Sequence, residues 1–144
     1  MRRGLQGYAG QGPTGSGDRR PGSSVVAAAV AVVGAGAAGT LTAIHLVDRA
    51  VRADRALDLI LVDARPEPGR GVAYATTDRR HLLNVPAGGM SALPDDPGHL
   101  VDWLRAHGHA DVTPADFVPR ADYGRFLQDT LAEAVRTAPA GAGR

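Results

Sequence analysis

Gly34, Gly36 and Gly39 stand in the order G-x-G-x-x-G, and an acidic residue, Asp63, follows 24 positions after the last of them. These residue types at this spacing suit the binding of a dinucleotide. Gly34 lets a chain turn sharply out of a strand, Gly36 leaves room for a pyrophosphate beside the main chain, and Gly39 lets the next helix pack closely on that strand. A helix opening inside the motif, through Ala37 and Ala38, offers unpaired N–H groups and the positive end of its dipole to phosphate. Ala43, one turn further on, is also small and keeps that packing close. The Asp63 carboxylate can accept the hydroxyl hydrogens of an adenosine ribose and would repel a 2′-phosphate, which argues against NADP here.

The glycines alone are weak evidence, and the elements that must position them decide their meaning. Val25–Val33 is a short apolar run of valine and alanine, and its second half is expected to be a fully buried parallel strand. From Ala37 the apolar spacing becomes helical through Leu41, Ile44 and Val47 and ends near Ala50 or Val51. Leu57–Val62 is a second buried strand with Asp63 at its end, and Pro66, Pro68, Gly69 and Gly71 then break the chain into loop. Strand, helix, strand with the acidic residue in place is a Rossmann-type βαβ dinucleotide-binding unit, of fold class α/β. Other readings of the glycines stay open. They could form a ligand-free turn, or the loop of an S-adenosylmethionine fold, although Val32 and Val33 stand where such folds usually carry an acid. They could also belong to the NAD-binding domain of another dehydrogenase.

Further along, Val72–Tyr74 is expected as a short extended piece. Asp96 and Pro97 predict a helix start, with Asp96 as N-cap and Pro97 at the first helical position. Its buried face is Leu100, Val101, Trp103 and Leu104, and Gly108 ends it. A last helix starts near Ala121 or Asp122 with an apolar stripe of Tyr123, Phe126, Leu127, Leu131 and Ala134.

Composition bounds the remaining possibilities. Without cysteine there is no disulfide framework and no thiolate metal site, and a net charge of +1 gives no steering toward nucleic acid. The longest apolar run has nine residues, against roughly 20 for a membrane span. Arg2, Arg3, Arg19 and Arg20 precede that run, but it leads straight into the glycine motif with no cleavage-like segment, so no signal peptide is read and a cytoplasmic location is expected. Residues 1–24 have almost no large apolar side chain and read as a disordered tail, residues 25–137 as the domain, and residues 138–144 as a second tail.

From Val30 onward the chain resembles the FAD/NAD(P)-binding domain related to FAD-dependent urate hydroxylase. More distantly it is similar to flavin monooxygenases that N-hydroxylate amines. The resemblance rests on VAVVGAGAAGTLTAIHL (30–46), ILVDARPEPGRGVAYATTDRRHLLNVPAGGMSALPDDPGHLVDWL (60–104) and FVPRADYGRFLQDTL (117–131), with GRGVAY, HLLNVPAG and PRxxYGxFL its specific parts. It implies FAD held at Gly34, Gly36, Ala37, Ala38, Gly39 and Asp63, with reduced nicotinamide, NAD(P)H, as electron donor. By position it also implies Gly71, Asn84 and Arg120 near the flavin or its phosphates. Plainer roles compete: a turn for Gly71, a loop cap for Asn84, and pairing with Asp116 or Asp122 for Arg120. His81 is expected in a loop or packing role and Trp103 in the core, and His107 and His109 lack a third ligand for a metal site. No catalytic residue is assigned. Because the family is longer, the resemblance implies the N-terminal part of a doubly wound FAD-binding domain, truncated here. A missing C-terminal region or self-association would then cover apolar surface, and the isolated chain would be inactive.

Overall fold

The computed structural model describes residues 28–138. The expected tails lie outside the described residues, apart from Ala138 at the start of the second. Along the chain run β1 (Ala28–Val33), α1 (Ala37–Arg52), β2 (Leu57–Val62), α2 (Gly71–Tyr74), α3 (His99–Ala106) and α4 (Arg120–Thr137), with a short 3-10 turn at Ala87–Gly89 before α3. β1 and β2 pair in parallel with Ala28 opposite Leu57 and Val33 opposite Val62, so both strands end level with the glycine motif and Asp63.

α1 forms because nothing between Thr40 and Arg52 breaks it and its apolar side chains recur with helical period. Thr40, Ala43, Ile44 and Val47 are its buried face, and Arg49 and Arg52 sit in the last turn, where the dipole favours cations. Asp54 ends the element in left-handed backbone at φ 49°, and the Arg55 amide reaches back to the Ala50 carbonyl at 3.0 Å. The core lies beside α1. Leu100 and Leu104 of α3 and Phe126 and Leu127 of α4 are fully buried, with Leu83, Val118 and Tyr123 packed around them. Each such side chain contributes about 1.5–3 kcal/mol on burial. No helix of the described residues is long and apolar enough to cross a membrane.

Several expectations change. The strands are not fully buried: Leu57, Leu59 and Leu61 point inward, while Ile60 and Val62 on the other face are exposed. Val33, opposite Val62, is 84% exposed. Among the described residues this sheet face has no cover. Val72–Tyr74 is helical, not extended, as part of α2. α3 begins at His99 after Gly98, not at Pro97. Asp96 is committed to a bridge with Leu93, and its carbonyl accepts the Ser91 hydroxyl at 2.5 Å and the His99 amide at 3.2 Å, so the chain turns tightly once more before the helix opens. Trp103 is only half-buried. It packs against the core, lies over His107 with ring centroids 4.1 Å apart, and donates to Asp129 at 3.1 Å.

Candidate functional site

Gly34 follows β1 with φ +99°, a conformation that L side chains rarely adopt, and its amide still reaches the sheet through the Val62 carbonyl at 2.7 Å. The backbone then reverses into α1. A Cβ on Gly39 would overlap the Gly34 carbonyl oxygen, so the first turn of the helix can lie this close to the strand end only without a side chain there. The Thr40 amide makes the turn's bond to the Gly36 carbonyl at 2.9 Å. The amides of Ala37, Ala38 and Gly39 precede it, at the end where helical donors lack intrahelical partners.

Asp63 closes the turn from the side of β2. Its Oδ2 accepts the Ala35 amide at 2.6 Å and its Oδ1 accepts the Arg65 amide at 2.8 Å, with the Arg65 guanidinium 3.7 Å away. The Arg65 amide foremost, and then the Ala35 amide, hold its carboxyl below the usual aspartate range. Two N–H bonds leave lone pairs on the carboxylate for further donors.

A second wall faces the glycine turn. Gly34, Gly36, Ala37, Ala38 and Gly39 line one side of an open cleft of about 630 Å³, and Arg70, Gly71, Val72 and Tyr74 line the other. The Arg70 guanidinium is braced by Glu67 at 3.1 Å and Gln128 at 3.2 Å. Tyr74 anchors α2 edge-on against Tyr123, with ring centroids 4.9 Å apart. Burial, with Tyr74 beside it, pushes the Tyr123 phenol up to about 12. The helix start gives the cleft a positive character suited to an anion, while the Arg70 charge is shared with Glu67.

Gly71 therefore joins the glycine turn, while Asp63 is bonded to the Ala35 amide of that turn and is not among the cleft-lining residues. Asn84 and Arg120 are not brought there either. Leu82 bridges Pro119, Asn84 is exposed beside that bridge, and Arg120 donates to the Leu82 carbonyl at 2.9 Å instead of pairing with Asp116 or Asp122. Arg70 was not expected in the cleft, although its place between Gly69 and Gly71 in GRGVAY is a usable signal. Thr40 was not expected either, and a threonine inside a helical stretch gives no such signal. Asp122 is buried and gathers Arg79 at 3.0 and 3.4 Å and His109 at 3.1 Å, a cluster joining three distant segments. His81 is exposed in its loop and pairs with Thr76 at 2.8 Å, and His107 donates to the Trp103 carbonyl at 2.7 Å. Among the described residues no three metal-ligating side chains converge.

A parallel βαβ unit with a glycine turn, free helix-start amides and an acidic residue bonded to that turn is the geometry of a dinucleotide site. Residues 31–143 match the FAD-NAD(P)-binding family. The chain belongs to that family. Membership makes the cofactor class a flavin or nicotinamide nucleotide, and the features present fit such a group. The glycine turn suits its phosphates, and Asp63 retains acceptor capacity for hydroxyls. No curated protein matches the chain.

Proposed function

We propose that this FAD-NAD(P)-binding chain binds FAD, as the nucleotide-binding part of a flavin-dependent oxidoreductase that draws electrons from NADH or NADPH. In this reading the amides at Gly36, Ala37, Ala38 and Gly39 hold the pyrophosphate, Gly34 shapes their turn, and Gly71 and Arg70 close the opposite side. Asp63 accepts the ribose hydroxyls. Asn84 and Arg120 do not line the cleft at the glycine turn. Bound flavin would supply the electron-accepting ring, and the protein's share is binding, orientation and the exclusion of water.

The observation that carries the reading is the Ala35–Asp63 bond of 2.6 Å, which fixes the acidic residue at the glycine turn with acceptor capacity to spare. The choice of FAD, and of a monooxygenase akin to urate-hydroxylating and amine-N-hydroxylating flavoproteins, rests on the GRGVAY, HLLNVPAG and PRxxYGxFL segments. In the same reading the cleft is the N-terminal part of a doubly wound domain, whose remaining elements would cover Val33, Ile60 and Val62. The test is parallel titration of the chain with FAD, FMN, NADH and NADPH, followed by calorimetry. FAD should bind tightest. Saturation by NADH without FAD binding would make this instead the nicotinamide-binding domain of a dehydrogenase.

A further inference from the structure

The two walls of the cleft come from chain segments about thirty residues apart, and one buried hydroxyl joins them. Thr40 is fully buried in the first turn of α1. Its hydroxyl donates to the Ala35 carbonyl at 3.1 Å and accepts the Gly69 amide at 2.8 Å. The Gly69 amide also reaches the Ala35 carbonyl at 2.8 Å, so Ala35, Thr40 and Gly69 form a closed triangle of bonds. Immediately beyond it, Gly71 runs against Gly36. A Cβ on Gly71 would stand 3.0 Å from the Gly36 Cα, and one on Gly36 would stand 3.6 Å from the Gly71 Cα. The width of the cleft at the glycine turn is therefore set by how Gly69 is held.

We propose that Thr40 is a positioning residue of the nucleotide cleft, a latch whose hydroxyl ties the Gly69–Gly71 wall to the glycine turn. This rests on the reading of the cleft as a dinucleotide site. Thr40 touches no phosphate in this account. It acts through Gly69, and it keeps Gly71 and Arg70 facing the amides of Ala37 and Ala38. The geometry also accounts for the residue type. Valine has nearly the same shape but neither donates nor accepts, so it would put a methyl group against a buried amide and a buried carbonyl. Serine keeps the hydroxyl and loses only a methyl group.

The test uses the full 144-residue chain with Thr40→Val and Thr40→Ser. Amide hydrogen exchange is read at Gly69 and Gly71 without ligand, with Val47 in the middle of α1 as reference, and dissociation constants are measured for FAD and ADP. Thr40→Val should speed exchange at Gly69 while leaving Val47 protected, and should weaken FAD and ADP about tenfold, the effect of one net hydrogen bond. Thr40→Ser should stay within about threefold of the unaltered chain, a small part of that loss. Unchanged Gly69 exchange in Thr40→Val, unchanged affinity, or a serine variant as damaged as the valine one would overturn the latch. If Thr40→Val loses protection throughout, Thr40→Ala takes its place, and failure of both to fold makes Thr40 a folding residue and ends the proposal. Absence of FAD and ADP binding by the unaltered chain is a different failure. It removes the nucleotide reading, while Gly69 exchange still decides whether the latch exists.

Discussion

Asp63, the residue after β2, accepts the amide of Ala35, two residues past β1, at 2.6 Å. The acidic residue and the glycine turn are thus one hydrogen-bonded unit before any ligand arrives. Replacing Asp63 consequently has two effects: it removes the proposed acceptor for ribose hydroxyls, and it releases the amide that follows Gly34. Asp63→Ala should weaken FAD by roughly 10- to 150-fold, the range for charge-assisted bonds. FMN, which lacks the adenosine, reports the loop alone. Fluorescence-quenching titrations should show a larger loss for FAD than for FMN, and equal losses would restrict Asp63 to shaping the turn.

The same bonds make the turn sensitive to acid. The Arg65 and Ala35 amides lower the Asp63 pKa in the folded chain. The stabilisation they represent is therefore fully present above the ordinary aspartate value of about 4 and is lost as the pH falls through the lowered, folded value. A carbon-detected NMR titration of the Asp63 carboxyl should give a midpoint below that of aspartate in an unstructured peptide. A midpoint at or above the peptide value would mean that these amides do not hold the carboxylate.

Gly34 and Gly39 should respond differently to alanine. At Gly39 a Cβ overlaps the Gly34 carbonyl, and the helix must move away from the strand, at a cost of about 1–3 kcal/mol. At Gly34 nothing lies within 4 Å of an added Cβ, and the cost is the positive φ alone, about 1–2 kcal/mol. Urea unfolding should rank Gly39→Ala as equally or more destabilising. The reverse order would show that the close approach of helix and strand is softer than described.

The βαβ unit was legible because its signals are local. The apolar run, the glycine spacing and the helical recurrence of Leu41, Ile44 and Val47 each span only a few residues. The rest depended on contacts between distant positions. Pro66, Pro68, Gly69 and Gly71 read as loop, and nothing local shows that Gly69 is tied to Thr40 or that α2 follows at once. Asp96 and Pro97 carry a good helix-start signature, yet Asp96 is held in a bridge to Leu93 and the helix waits for His99. The Asp122 cluster draws Arg79 from 43 positions away, beyond any spacing rule. Valine and isoleucine in the strands announce burial without saying what buries them; that apolar surface needs cover follows from the resemblance, and that it lies at Val33, Ile60 and Val62 follows only from the structure.

That open face has a consequence in solution. Val33 is 84% exposed, Ile60 54% and Val62 46%, all on one side of a parallel sheet, a type usually covered on both faces. The 144-residue chain on its own should self-associate as concentration rises. Ile60→Arg should shift sedimentation velocity profiles toward the monomer without changing the helical signal. An unchanged distribution would place the self-association elsewhere.

If a dinucleotide lies against the glycine turn, as proposed, Gly36→Val should exclude it. A Cβ at Gly36 already stands 3.6 Å from the Gly71 Cα, so the branches of valine would fill the space between the two walls. The measurement is an FAD titration of the unaltered chain and of Gly36→Val by flavin fluorescence, with circular dichroism to show that the helices persist. FAD should bind the unaltered chain saturably and fail to bind the variant at unchanged helix content. Undiminished FAD binding by a folded Gly36→Val chain would contradict that placement.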